Sequence, residues 1–93
     1  MFLIRDAFTC KPGQSSAVAE KFKRAHVAMG ITSRVMVDVV ATYWTVVLEM
    51  EVETLGAYEG AMQTYRDNAD VKEAMAGYLD LVVSGRREIF RLV

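Results

Sequence analysis

Few residues in this sequence carry chemistry, and their spacing decides which of them can act together. Glu49 and Glu51 lie two apart in the run Thr45 to Val52, so on a strand they point to the same side. Two carboxylates held close raise the pKa of one and can share acid and base work. Arg5, Asp38 and Arg91 reach the same face if the runs around them alternate in phase. There the arginines either pair with the glutamates or hold a ligand, because a guanidinium binds a carboxylate or phenolate through charge-assisted hydrogen bonds. Arg5, Asp38, Glu49 and Arg91 are therefore candidate ligand-binding residues.

Other reactive side chains stand alone. His26 is the one histidine, a turn after Phe22, and its ordinary pKa would suit a general base. With no second ligand or carboxylate in its local sequence, it reads as structural. Cys10, beside Lys11, could gain thiolate character from that cation; the competing reading is an inert small residue. Tyr58, Met62, Tyr65, Met75 and Tyr78 recur so as to line an aromatic and thioether pocket or simply a core. No metal-ligand spacing, glycine-rich phosphate loop, Walker lysine or Gly-x-Ser-x-Gly elbow is present, so neither a metal nor a cofactor is expected. Lys21, Lys23, Arg24, Arg86 and Arg87 are short basic clusters offset by acids, the pattern of a solvated surface.

The elements that must position these residues follow from periodicity. Phe2 to Thr9 is an apolar run stopped by Lys11-Pro12-Gly13 and reads as a strand. Val18, Phe22, Ala25 and Met29 recur at helical spacing, with Gly30 as the stop. Arg34 to Val40 and Thr45 to Val52 are strands separated by the turn Ala41 to Trp44. Leu55 to Tyr65 forms a second helix that breaks near Asn68 and restarts, with Asp70 as its cap, through Val82 to Ser84. Arg87 to Val93 is the last strand. This order, β-α-β-β-α-β, closes as an α+β ferredoxin-like fold with a four-stranded antiparallel sheet and helices on one face.

Parity divides each strand into two lists. Val35, Val37 and Val39, then Val46, Leu48, Met50 and Val52, are wholly apolar and should face the helices, joined by Phe2, Ile4, Phe8, Phe90 and Leu92. Asp6 breaks that phase, which suggests a bulge. The opposite face would carry Leu3, Arg5, Met36, Asp38, Val40, Val47, Glu49 and Glu51, with Arg87, Ile89, Arg91 and Val93 from the last strand. Apolar residues mixed with balancing charges describe a half-buried surface, so two copies are expected to pack these faces together.

Composition agrees. The 93 residues make one domain, 1-93, and counting glycine but not tyrosine puts apolar residues at about 55%, against roughly 45–50% in an average soluble domain. The net charge of −1 gives no electrostatic footprint for nucleic acid or an anionic membrane. A single cysteine, no secretory pattern at the start and no apolar run long enough for a membrane-spanning helix make a cytoplasmic location the expectation.

In element order the chain resembles the dimeric α+β barrel superfamily, which includes antibiotic-biosynthesis monooxygenases and NIPSNAP-like proteins. Phe8-Thr9-Cys10-Lys11-Pro12-Gly13 is similar to its strand-to-helix turn, and Leu55-Gly56-Ala57-Tyr58-Glu59 to the start of the second helix in NIPSNAP-like members. The resemblance implies a homodimer with its sheets facing one another, and a small-molecule pocket between sheet and helices or inside the barrel. Haem-degrading relatives use an Asn on strand one, a Trp on strand three and a His on the second helix; of these only Trp44 can be carried across, as a further candidate ligand-binding residue. Three functions are then expected: a small-molecule-binding homodimer holding an apolar or aromatic acid, a cofactor-independent monooxygenase or isomerase of aromatic or polyketide-like substrates, or a purely structural dimer.

Overall fold

The computed structural model describes all 93 residues. Strand β1 (Phe2–Cys10) leads into helix α1 (Ser15–Met29), which ends where Gly30 takes a left-handed φ of 69° and its N–H reaches back to the carbonyls of His26 and Val27. Strands β2 (Arg34–Val37) and β3 (Thr45–Val52) follow, then helices α2 (Leu55–Asp67) and α3 (Ala69–Met75), one 3₁₀ turn (Tyr78–Asp80) and strand β4 (Val82–Arg91). Thr54 caps α2 by accepting from Ala57 N–H at 3.0 Å. Asn68 both ends α2 and opens α3: its Oδ1 accepts from Asp70 N–H at 2.8 Å and Val71 N–H at 3.1 Å, so the cap is Asn68 and not Asp70. The restarted helix is also shorter than its apolar stripe suggests, because β4 begins at Val82. No helix is long and apolar enough to cross a membrane.

The sheet runs β2-β3-β1-β4, antiparallel throughout. Helices cover one face of it, giving a slab of 35 × 33 × 18 Å. Val46 and Leu48 from the sheet meet Val18, Phe22 and Ala25 of α1 and Val71, Ala74 and Met75 of α3, all buried, and Ile4 is buried beside this cluster. Each fully buried Val or Ile here contributes on the order of 1.5–3 kcal/mol. Helix α2 has no buried residue and lies over the sheet as a partial cover.

The expected parity holds on β1 and β3 and fails on β4. Arg5 is paired with Glu88, Asp6 with Arg87 and Ile4 with Ile89. Arg87, Ile89 and Arg91 therefore belong to the helix-covered face, and Arg86, Glu88 and Phe90 to the open one, the reverse of the sequence expectation. A one-residue slip exchanges every side chain between faces, and two contacts fix this register. Arg87 neutralises Asp6, and Gly85 lies against Phe8, where a Cβ would stand 2.8 Å from the ring. Asp6 itself is regularly paired; the irregularity in the ladder falls at Thr9/Cys10 instead.

Strand β2 is also shorter than expected. Asp38 N–H donates to the Thr45 carbonyl at 3.1 Å and Asp38 Oδ1 accepts from Thr45 N–H at 2.8 Å, and this side-chain bond closes the loop where the ladder ends. Val39 and Val40 consequently project into solvent at 97% and 93% exposure, and Val39 is no part of the helix-facing set. Trp44 ends this loop with a left-handed φ of 56°, held by the bond from Cys10 N–H to its carbonyl at 2.8 Å.

Candidate ligand-binding site

The carboxylate singled out in the sequence, Glu49, is fully engaged. Arg5 Nε donates to its Oε2 at 2.8 Å and Arg34 Nη2 to its Oε1 at 2.6 Å. The hydrogen bond from Arg5 holds the Glu49 carboxyl below its ordinary value near 4.5, burial pushes against this, and Arg34 adds to the lowering. A depressed carboxylate pKa stabilises the fold above the unfolded value and loses that contribution as pH falls through the folded one. Urea midpoints should therefore fall as pH drops below about 4.5, and less steeply in Glu49→Gln; equal slopes in both proteins would contradict this.

The expected ligand-binding set divides. Arg5, Asp38 and Glu49 border one open groove on the uncovered sheet face, together with Arg86. Arg5 also stands over the Phe90 ring at 5.7 Å, which confirms that Phe90 belongs to that face. Arg91 is elsewhere: it faces the helix side of the sheet and covers the Phe2 ring at 5.4 Å. Trp44 does not line the groove, and Asp38 spends one oxygen on the loop it closes.

A second concavity lies between the sheet and the helices, with a volume of about 100 Å³. Ile4, Phe8, Leu48 and Met50 form its floor, Phe22, His26 and Met29 of α1 one wall, and Met62 and Tyr65 of α2 with Tyr78 the other. Of the five pocket residues read from the sequence, Met62, Tyr65 and Tyr78 line it, whereas Met75 belongs to the packed core. Burial first, and then the neighbouring Tyr78, push the Tyr65 hydroxyl up to about 12, so it is a neutral donor at any physiological pH.

The polar end of this cavity is Asp6 and Arg87, the charges whose side the sequence could not fix. Arg87 Nε donates to Asp6 Oδ1 at 2.6 Å. The guanidinium also stands over the Tyr58 ring at 5.5 Å. Tyr58, Met62 and Arg87 together line a crevice beneath α2, so Arg87 and Met62 belong to both spaces. Burial raises the Tyr58 hydroxyl above its ordinary pKa, with Arg87 opposing and Asp6 reinforcing the shift.

His26 is part of the cavity wall and not only a helix-end residue. Its Nδ1 is bonded to Ser33 Oγ, which leaves Nε2 as the ring nitrogen without a protein partner. Burial lowers its pKa below 6.5, against the pull of Asp6, so the ring is neutral near pH 7. Cys10 is 2% exposed, and burial, assisted by Asp38, raises its thiol pKa. The neighbouring Lys11 therefore does not activate it. No group of three or more His, Cys, Asp or Glu residues could hold a metal ion.

No family model matches the sequence, and no curated protein matches it. Solved structures do. An uncharacterised NIPSNAP domain protein from Burkholderia xenovorans superposes with a TM-score of 0.85 at 6% identity, over 100% of this chain and 95% of that one. A NIPSNAP family protein from Agrobacterium tumefaciens gives 0.84 at 8% identity, over 99% and 92%. A putative antibiotic biosynthesis monooxygenase from Chloroflexus aurantiacus gives 0.77 at 13% identity, over 99% and 92%. The chain has the NIPSNAP and antibiotic-monooxygenase fold.

At such identities the likeness is one of backbone, and it assigns no role to the side chains of the cavity. Trp44 lies in the β2–β3 loop of this NIPSNAP-like fold instead of on β3, and α2 carries no histidine. The residues that sequence reasoning missed are Asp6, Ser33, Arg34 and Arg87. Asp6 in an otherwise apolar alternation was the available signal, since a carboxylate on a covered face demands a cationic partner.

Proposed function

We propose that this chain is a cytoplasmic, small-molecule-binding homodimer whose ligand occupies the cavity between sheet and helices. The observation that carries this reading is the cavity itself: about 100 Å³, mostly apolar, with the Asp6 and Arg87 pair, Glu49 and one neutral histidine on its wall. A few polar groups placed in an apolar concavity are the usual make-up of a small-molecule site. Its lining would suit an apolar or aromatic ligand with one polar group. The sheet-face arginine expected to hold an acid, Arg5, is already neutralised by Glu49, which favours the cavity over the open groove.

Dimerisation through the open sheet face is supported by what that face leaves uncovered. The chain exposes 6008 Å², against about 5,400 Å² for a folded monomer of this mass. Met36 and Phe90 are 38% and 42% exposed there, beside charges already paired within the chain. Sedimentation velocity across a concentration series should show a dimer at micromolar concentration; a monomer throughout would overturn the dimer.

A second reading, a cofactor-independent monooxygenase or isomerase, is favoured by one feature, the free Nε2 of neutral His26 on the cavity wall. Dioxygen uptake or isomerisation of a bound aromatic compound, lost in His26→Phe, would separate an enzyme from a binder.

A further inference from the structure

We infer that the cavity's ligand carries a neutral hydroxyl group that donates its hydrogen to Asp6 Oδ2. This rests on the proposal that the cavity binds a small molecule, and it names the polar group of that molecule. Arg87 Nε takes Asp6 Oδ1 at 2.6 Å. The other oxygen, Oδ2, has no partner in the chain yet is not sealed from solvent, so it opens onto free space. That space is the cavity, because Asp6 lines it and does not line the crevice beneath α2. The carboxylate is also within electrostatic reach of both walls: after burial, its charge is among the influences on His26 of α1 and on Tyr65 of α2. A mostly apolar cavity thus holds one carboxylate oxygen that only a ligand can bond.

The charge balance says which donor. An ionised carboxylate can only accept, and a hydrogen bond to it is about twice as strong as one between neutral groups. A ketone or ether oxygen would set its lone pairs against those of Oδ2. A carboxylate ligand would bring a second negative charge beside Asp6, whose side chain is only 15% exposed. An ammonium could donate, but Arg87 already neutralises Asp6, so one positive charge would stay unbalanced in a poorly solvated site. A hydroxyl donates one hydrogen and adds no charge. It also keeps lone pairs for the Tyr65 hydroxyl, the neutral donor on the α2 wall, which an amide N–H does not. The rest of the ligand would lie against Phe8, Phe22 and Met62. An apolar cavity of about 150 Å³ accepts benzene, so at about 100 Å³ this one calls for probes no larger than that ring.

The test uses three small-ring probes of one shape: cyclopentanol, cyclopentanone and cyclopentylammonium. Titrations followed by NMR should show cyclopentanol binding about tenfold more tightly than either of the others, the factor expected of a hydrogen bond to a charged group. Asp6→Asn keeps an oxygen for Arg87 and turns an N–H toward the cavity, so cyclopentanone should then bind more tightly than cyclopentanol. Equal binding of alcohol and ketone to the unsubstituted protein, tighter binding of the ketone or the ammonium, or an undiminished alcohol preference in Asp6→Asn would overturn the inference and leave the cavity reading standing. Should Asp6→Asn not fold, the preference of the unsubstituted protein decides by itself. Failure of all three probes to bind would overturn both.

Discussion

Truncating Phe22 to alanine should cost about 3–5 kcal/mol, which leaves little of the 5–15 kcal/mol typical of a domain. The ring is 4% exposed and joins three elements. It stacks on Phe8 of β1 at 5.0 Å, meets Tyr78 edge-on at 5.9 Å and lies 6.3 Å from the His26 ring. Such aromatic pairs contribute about 0.5–1.5 kcal/mol each beyond area burial. An alanine would also leave a void that the flanking sheet cannot close, because Phe8 is held against Gly85. Phe22→Leu keeps most of the volume and should cost less than about 2 kcal/mol. Urea midpoints for the two variants check this; a loss below about 1 kcal/mol in Phe22→Ala would mean that the core does not close around this ring.

The second large effect is expected at Arg87. Replacing it by methionine strands Asp6 on a face shared with Ile4 and Phe8. Removing one member of a fully buried ion pair costs about 3–5 kcal/mol. Arg87 keeps 48% of its side chain exposed, so partial solvation reduces the expected loss to about 2 kcal/mol. The double variant Asp6→Leu, Arg87→Met removes both charges and should recover most of that loss. If Arg87→Met alone matches the unsubstituted protein in urea, the pair is a surface contact and the polar end of the cavity is misplaced.

The elements around these two sites differ in how much of them is legible in the sequence. Helix α1 and strands β1 and β3 are legible from helical spacing or alternation, with Gly30 as the stop for α1 and Pro12-Gly13 as the stop for β1. Strand β4 is not. In Arg86-Arg87-Glu88-Ile89-Phe90-Arg91 either parity places arginine and an apolar residue on each face, so no local pattern breaks the tie. Contacts about 80 residues away in sequence, Arg87 with Asp6 and Gly85 with Phe8, do break it. Val39 and Val40 misled in another way: β-branched residues favour strands, but Asp38 closes a loop with Thr45 first.

The candidate site follows the same division. Glu49 with Arg5 was legible because both lie on strands whose phase is clear, and the two side chains meet. The cluster of Asp6, Arg87 and Tyr58 depends on β4 and on how α2 lies over the sheet. Neither is written in local spacing, and so Arg87 read as part of a solvated basic cluster. His26 gave no local sign of a cavity either, because its partner Ser33 is reached only across the turn that follows Gly30.

A small molecule bound between the sheet and the helices would report itself at the methionines. Met29, Met50 and Met62 line the cavity, Met36 borders the open sheet groove, and Met75 is buried in the core. With ¹³C-methyl methionine and titration with cyclopentanol, the methyl signals of Met29, Met50 and Met62 should shift together and saturate, while that of Met36 stays fixed. A saturating shift of Met36 with the three cavity methyls unmoved would place the ligand on the open face and contradict the account.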